Sequence, residues 1–259
     1  MAPWSRSSSA LVQSDPGQPR WESETEMPDI ETSSEQYARR FSGSVGRYFL
    51  EVQTRTVLQL LEPFPGARIL DVGGGHAQLA VPLARRGFDV TVVGSSDRCR
   101  RRLEEQSAPR SISFYREDLL NLSFVDNAFD VVLAFRLMPH LRAWPNLVAE
   151  LCRVAREAIV VDYPDWQSFN VVSRFLFGAK KSLEGNTRPY HCFHRREVLA
   201  EFARGGFSSP TLRPQFFLPM VLHRVVGVGW MSRSVEAFGG WCGLTRIFGS
   251  PVILCVTPS

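Results

Sequence analysis

A turn of three consecutive glycines is the most informative local pattern in this chain. Gly73, Gly74 and Gly75 follow an apolar segment that ends in Asp71, and a helical pattern of apolar residues follows the turn. Glycine lets the backbone approach a ligand closely, and the helix that comes next offers unpaired N–H groups at its N-terminus. A strand, a glycine turn and a helix in this order indicate a nucleotide-binding site.

The glycine turn fits more than one class of protein. The dinucleotide fingerprint G-x-G-x-x-G needs a third glycine where Gln78 stands, although Gly73 and Gly75 fit it. The pattern Asp71-x-Gly73-x-Gly75-x-Ala77 instead resembles the first motif of class I S-adenosylmethionine-dependent methyltransferases, in which glycine is usual at the position of Ala77. A plain tight turn without a ligand is a third alternative.

The resemblance to this family extends beyond the glycine turn. Residues 118–134 resemble the second half of such a domain, and the similarity covers residues 67–164 strongly and residues 195–256 more loosely. It is closest to the small-molecule branch that includes ubiquinone and menaquinone methyltransferases. The resemblance implies an enzyme that uses S-adenosylmethionine to methylate a small, apolar or aromatic molecule by in-line transfer.

The resemblance also assigns cofactor-binding roles to residues after the predicted strands. The glycine turn would hold the methionine end of the cofactor, and Asp71 would orient its amino group. Asp118 would accept a hydrogen bond from the adenine amino group, and the N–H of Leu119 would meet a ring nitrogen. A turn cap is the alternative role of Asp118. Phe135, after the fourth predicted strand, is also assigned to the cofactor.

The end of the second predicted strand departs from the family pattern. The family usually has an acid there that binds both ribose hydroxyls, whereas this chain has Gly94. Ser95 or Ser96 would offer weaker, neutral hydrogen bonds, and Asp97 lies three residues beyond Gly94. This departure leaves open a non-catalytic binding or assembly protein on the same scaffold. An NAD(P)-dependent oxidoreductase is the less favoured alternative.

Candidate catalytic and substrate residues flank the predicted sheet. His140 titrates near neutrality and is the candidate general base, with local packing as the alternative. The substrate-binding candidates come from the N-terminal helical segment and from the segments after the fourth and fifth strands: Tyr37, Arg40, Arg136, Tyr163 and Trp166. His191 and His194 flank Cys192, but no second Cys/His pair has suitable spacing, so no metal site is predicted.

Composition narrows the class of protein further. The chain has 259 residues, 44% of them hydrophobic, and a net charge of +4, too small to indicate a nucleic-acid-binding surface. No apolar run reaches the ~20 residues of a membrane-spanning helix. Five scattered cysteines indicate free thiols in a reducing compartment, so we expect a cytoplasmic protein. Residues 171–181 leave open a peripheral membrane contact, and the oligomeric state is left open.

The order of elements sets the expected architecture. Strands that alternate with helices predict an α/β fold with a parallel sheet covered by helices on both faces. The resemblance implies a doubly wound, mostly parallel seven-stranded sheet with an antiparallel last strand. We expect a disordered tail over residues 1–34 and one methyltransferase-like domain over residues 35–259. Within that domain, residues 35–62 form a helical cap, and residues 163–195 and 223–249 are insertions on the substrate side.

Glycines and apolar runs predict the bounds of two N-terminal helices and of the sixth strand. Gly43 and Gly46 are expected to end a short first helix, and a longer helix is expected over residues 47–61. The apolar residues 216–222 are expected to form the sixth strand.

Overall fold

A seven-stranded sheet with helices packed on both faces forms the body of the protein. The computed structural model describes residues 27–106, 112–168, 191–219, 222–223 and 229–259. The strands are β1 (Arg68–Val72), β2 (Asp89–Gly94), β3 (Ile112–Arg116), β4 (Phe129–Ala134), β5 (Ala155–Tyr163), β6 (Phe207–Pro214) and β7 (Val252–Pro258). The helices are α1 (Pro28–Thr32), α2 (Glu35–Arg39), α3 (Gly43–Leu61), α4 (Ala80–Ala84), α5 (Arg101–Glu105), α6 (Trp144–Val154), α7 (Arg195–Arg204), α8 (Gly229–Trp241) and α9 (Leu244–Phe248).

The strand order confirms the predicted fold class. The strands lie in the order β3-β2-β1-β4-β5-β7-β6, and β7 runs antiparallel to its neighbours β5 and β6. The central strands β1 and β4 are almost continuously apolar, because helices cover both of their faces. One apolar cluster contains residues of α3 and α4, and the other contains residues of α6 and α7.

The sheet has its topological switch point beside β1. The chain moves outward from β1 to β2 and β3 and then returns to place β4 on the other side of β1. In open parallel sheets such a reversal leaves a crevice at the carboxyl ends of the strands, which is the usual ligand site. The glycine turn lies at this point, and the Gly73 N–H donates to the Val93 carbonyl at 2.8 Å.

The predicted sixth strand over residues 216–222 is wrong. The sixth strand is β6, which ends at Pro214 and pairs with β7 at the edge of the sheet. An edge strand tolerates proline because one row of its backbone groups needs no partner strand. Phe216 instead packs against Phe49 of α3, with ring centroids 4.8 Å apart.

The N-terminal region differs from the sequence prediction in two places. The predicted tail extends to residue 34, but α1 forms a helix within it; residues 1–26 lie outside the described part. The longer helix also begins earlier than the predicted residue 47, because α3 begins at Gly43 and runs through Gly46. Gly46 has a packing role, since a Cβ there would lie 2.6 Å from the Cα of Phe41. Residues 171–181, with the predicted membrane contact, also lie outside the described residues.

Candidate functional site

The glycine turn follows β1, and its last two glycines begin a short 3₁₀ turn, Gly74–His76. Gly73 has a φ of +73°, a conformation that glycine adopts without a steric penalty. Ala77 has a φ of +59°, which is uncommon for a residue with a Cβ. A positive φ at position 77 explains why the family usually has glycine there. Alanine, with only a methyl group, also adopts this conformation in the present chain.

Asp71 lies beneath this turn with no partner for its charge. Its carboxylate is fully buried, and neither oxygen accepts a hydrogen bond from any described residue. Burial raises the pKa of Asp71 to about 7. A cationic donor such as an ammonium group would supply the missing hydrogen bonds and favour the ionised carboxylate.

His76 is a buried polar residue that the sequence analysis does not single out. Its Nδ1 accepts a hydrogen bond from the Gln78 N–H at 3.2 Å, so this nitrogen carries no proton. Burial, assisted by the charge of Arg136, lowers the pKa of His76 to about 3. His76 is therefore neutral at physiological pH, and adjacency to the glycines was its only signal in the sequence.

The end of β2 has no room for a side chain at position 94. A Cβ on Gly94 would lie 2.8 Å from the Cβ of Cys99 and 3.1 Å from the ring of Phe114. Asp97 points elsewhere, because its carboxylate is exposed and lies 3.6 Å from the guanidinium of Arg116. The acid that is usual in the family is thus absent both from the strand and from the residues just after it.

A different acid, Asp29 of α1, occupies this edge of the sheet. The Ser95 N–H donates to Asp29 Oδ2 at 2.7 Å, and the Ser95 hydroxyl donates to Asp29 Oδ1 at 2.5 Å. The Cys99 thiol is a third donor, 3.2 Å from Oδ2. Asp29 is fully buried. Asp29 lies in the predicted tail, where no sequence motif marks it.

Asp118 follows β3 in a tight turn. Its Oδ1 accepts a hydrogen bond from the Leu120 N–H at 3.0 Å. One carboxylate oxygen of Asp118 therefore caps the turn, which is the alternative role named above. Leu119 is buried beside it. The Glu117 N–H donates to the Gly94 carbonyl at 3.1 Å, which holds this turn next to the end of β2. The adenine roles of Asp118 and Leu119 stay predictions.

Arg136 brings several predicted site residues together after β4. Its backbone N–H donates to Asp162 Oδ1 at 2.5 Å, and its guanidinium donates to Gln53 Oε1 at 2.6 Å. The guanidinium lies 4.0 Å from the ring centroid of Phe41 and 3.5 Å from the hydroxyl of Tyr37. The N-terminal helices therefore lie against the carboxyl ends of β4 and β5, and their role as a cap over the site stays a prediction.

The other predicted substrate residues occupy varied surroundings. Arg40 is exposed, with its guanidinium 5.1 Å from the ring centroid of Tyr37. Trp166 stacks on His194 at a centroid distance of 5.7 Å. Tyr163 is fully buried, and burial raises the pKa of its hydroxyl. A substrate would reach Tyr163 only after rearrangement of its surroundings.

His140 and Phe135, two further predicted site residues after β4, differ in burial. His140 is half-buried and ends the 3₁₀ turn Met138–His140, four residues beyond Arg136. Phe135 is fully buried and belongs to the apolar cluster that includes α3 and α4 residues. The catalytic role of His140 and the cofactor role of Phe135 stay predictions.

The described residues offer neither a cluster of metal ligands nor a membrane-spanning helix. Within those residues, no cluster of three or more His, Cys, Asp or Glu side chains could hold a metal ion. No helix in the same part of the chain is long and apolar enough to cross a membrane.

Comparisons of sequence relate the chain to methyltransferases. A family model described as "Methyltransferase domain" matches residues 69–158. A 2-methyl-6-phytyl-1,4-hydroquinone methyltransferase of Synechocystis is 34% identical over 104 residues, which cover 39% of this chain and 33% of the relative. A ubiquinone biosynthesis O-methyltransferase of Paramagnetospirillum magneticum is 36% identical over 86 residues, or 32% of this chain and 33% of that protein. The chain thus spans about a third of the length of these two curated relatives.

Comparisons of structure agree on the fold. A SAM-dependent methyltransferase of Thermotoga maritima, described as a possible histamine N-methyltransferase, aligns with a TM-score of 0.63 at 17% identity, covering 90% of this chain and 100% of that one. A magnesium protoporphyrin IX methyltransferase of Synechocystis with bound SAH aligns with a TM-score of 0.59 at 15% identity, covering 86% and 93%. At these identities the likeness shows a shared fold.

Proposed function

Because this chain belongs to the class I S-adenosylmethionine-dependent methyltransferases, we propose that it transfers a methyl group from S-adenosylmethionine to a small molecule. One observation supports the proposal most strongly. Asp71 is a buried carboxylate without a hydrogen-bond donor among the described residues, and it lies under a glycine turn at the switch point of the sheet. A ligand that carries an ammonium group would complete this site.

The residues at the switch point fit this cofactor in chemical type. Asp71 and the glycine turn suit the amino-acid end, and the turn at Asp118 suits the adenine. When bound, S-adenosylmethionine supplies an electrophilic methyl group. The chain's own residues have to hold the cofactor and exclude water, and much of the rate can come from alignment of the reacting groups.

The N-terminal segment closes over the glycine turn in this structure. A Cβ on Gly75 would lie 2.7 Å from both the carbonyl oxygen of Cys99 and the hydroxyl of Ser33. Ser33 directly follows α1, so α1 lies against the turn. We propose that α1 shifts as the cofactor enters, because it lies against the turn that would hold the amino-acid end.

We propose a phenol or quinol as the substrate class. The two curated relatives named above act on a hydroquinone and in ubiquinone biosynthesis. In this chain the rings of Tyr37 and Phe41 lie beside Arg136, and such a cluster suits an aromatic molecule with a polar oxygen. His140 is the proposed base that takes the hydroxyl proton as the oxygen is methylated.

A turnover assay tests this proposal. Purified protein is incubated with S-adenosylmethionine and a panel of catechols, hydroquinones and simple phenols, and S-adenosylhomocysteine is quantified against methylated product. We expect one product molecule per S-adenosylhomocysteine with at least one compound, and loss of turnover in His140→Ala. Cofactor binding without turnover on any panel member would contradict the phenol or quinol proposal.

A non-catalytic binding or assembly protein is the second candidate. Gly94 in place of the ribose-binding acid and the closure of α1 over the glycine turn favour it. Failure to bind either S-adenosylmethionine or S-adenosylhomocysteine would favour this candidate over the enzyme. The match to a methyltransferase family leaves the NAD(P)-dependent oxidoreductase without support.

A further inference from the structure

We infer that Asp29 is the carboxylate that binds the ribose hydroxyls of the cofactor, in place of the acid that β2 lacks. This inference rests on the proposed function, because it assigns a residue to the same cofactor site. It assigns a binding role to a residue 65 positions before Gly94 in the chain, outside every motif that the sequence offers.

The packing at the end of β2 explains why the strand cannot supply this acid. Cys99 and the ring of Phe114 fill the space that a side chain at position 94 would need. The nearest acid along the chain, Asp97, has an exposed carboxylate next to Arg116. A ribose bound at this edge of the sheet would need a carboxylate from another element.

The carboxylate of Asp29 contacts Ser95, the residue that follows Gly94. Both of its oxygens bind Ser95, one at the backbone N–H and one at the hydroxyl. Its side chain also borders the glycine turn, since a Cβ on Gly73 would lie 3.6 Å from the Cβ of Asp29. The carboxylate therefore lies between the ends of β1 and β2, where the switch point places the ligand crevice.

The donors around Asp29 permit an exchange of partners. A carboxylate has about four acceptor positions. The Ser95 N–H is fixed in the backbone and can keep the carboxylate in place, whereas the Ser95 hydroxyl and the Cys99 thiol are rotatable donors. Two ribose hydroxyls could take over the positions of these rotatable donors while the Ser95 N–H stays bound.

The burial of Asp29 without a cation is a second argument for a ligand role. Within the described part of the chain, neutral groups are the only hydrogen-bond donors to its carboxylate, and no Arg or Lys pairs with it. Burying a charge in this way costs stability. The hydrogen bonds to Ser95 and Cys99 tie α1 to the end of β2, and a carboxylate that pairs with no cation is also suited to the hydroxyls of a ligand.

Calorimetric binding of S-adenosylhomocysteine and its 2′,3′-dideoxy counterpart tests the inference. Asp29→Asn keeps the size of the side chain but replaces charge-assisted hydrogen bonds with neutral ones, so we expect S-adenosylhomocysteine to bind roughly tenfold more weakly. Asp29→Ala should weaken it further. The dideoxy compound should bind both variants and the wild type equally, because it lacks the hydroxyls.

The matched control is Asp97→Asn, the other acid near the end of β2. We expect it to change the dissociation constant of S-adenosylhomocysteine by less than about twofold, since its carboxylate faces solvent. Melting curves without ligand show whether each variant folds, and Asp29→Asn carries the test if Asp29→Ala does not.

Three results would overturn the inference. Equal or tighter binding by the Asp29 variants would mean that α1 merely covers the crevice. An equal loss for the normal and the dideoxy compound would mean that Asp29 acts away from the ribose. A larger loss of S-adenosylhomocysteine affinity in Asp97→Asn than in Asp29→Asn would mean that Asp97 binds the ribose. Failure of the wild type to bind S-adenosylhomocysteine would instead contradict the proposed function itself.

Discussion

At the scale of single residues, the charge of Asp71 makes stability depend on pH. Burial raises its pKa from 3.8 to about 7, so the folded chain keeps a proton that the unfolded chain loses over this interval. The free energy of unfolding therefore falls as pH rises through this range, by roughly 4 kcal/mol from this group alone. His76 contributes the opposite slope, because its folded pKa of about 3 lies below the unfolded value of 6.5.

We predict that Asp71→Asn removes the Asp71 contribution and leaves that of His76. The free energy of unfolding of the variant, relative to wild type at the same pH, should rise between pH 4 and pH 8. Urea unfolding without ligand at several pH values measures this difference. Parallel pH profiles for the two proteins would contradict the raised pKa of Asp71.

A second residue-scale prediction concerns Arg136. Its guanidinium donates to Gln53 Oε1 and lies over the ring of Phe41, so Arg136→Ala leaves a buried acceptor without its donor. We expect a loss of about 1–3 kcal/mol in the free energy of unfolding. Arg39→Ala is the control, because Arg39 and Glu35 form an exposed ion pair at 4.0 Å, which is worth at most ~0.5 kcal/mol. Equal losses in the two variants would contradict the described contacts of Arg136.

The residue scale also shows what the sequence could not predict. The motif singled out Asp71 and the glycines, and the comparison with the family pattern identified Gly94 as a departure. Asp29 meets Ser95 only through tertiary packing between segments 66 residues apart, and nothing in the local sequence encodes that contact. The burial of His76 is likewise a result of packing, since its neighbours in sequence do not determine its neighbours in space.

At the scale of elements, the glycine turn has a packing role beside its proposed role in ligand binding. A Cβ on Gly75 would lie 2.5 Å from the Cβ of Cys99 and 2.7 Å from the carbonyl oxygen of Cys99, which cannot rotate away. We predict that Gly75→Ala lowers the free energy of unfolding by about 1–3 kcal/mol even without cofactor. Gly240→Ala in α8 is the control, because a Cβ there meets nothing within 4 Å and alanine favours a helix. Unchanged stability of Gly75→Ala would contradict the close approach of Cys99.

The turn after β3 gives a prediction that separates folding from binding. Asp118→Asn keeps one oxygen for the Leu120 N–H but replaces the other oxygen with an amide NH2, which cannot accept from the adenine amino group. Its melting temperature should therefore match wild type, while cofactor binding weakens by about tenfold or more. Asp118→Ala loses the turn cap as well, so it should also lose about 1 kcal/mol of stability. Melting curves and calorimetry measure the two effects. Wild-type cofactor affinity in Asp118→Ala would contradict the adenine role.

Elements with strong local signals were predicted best. β4, the fourth predicted strand, is buried along its whole length, because a central parallel strand is apolar on both faces. β6 was missed because an edge strand carries exposed residues and two prolines, a pattern that local rules assign to a loop. The apolar residues after it resembled a strand, although Phe216 serves the packing of α3.

At the scale of the whole molecule, the alternation of strands and helices predicted the parallel sheet, and the family resemblance predicted its antiparallel last strand. Parallel strands joined by helices can close into few arrangements, because the connections are right-handed and neighbouring in space. The position of the N-terminal segment was not predictable in the same way. α1 has five residues, too few to form alone in water, and its place depends on the crevice that it contacts.

The central claim is that the crevice beside β1 binds S-adenosylmethionine. Isothermal titration of the full chain with S-adenosylmethionine and with S-adenosylhomocysteine tests it most directly, because binding needs no knowledge of the methyl acceptor. We predict saturable binding of both ligands at one site per chain, weakened by Asp118→Ala. The absence of binding by either ligand at millimolar concentration, in protein that melts cooperatively, would contradict the account.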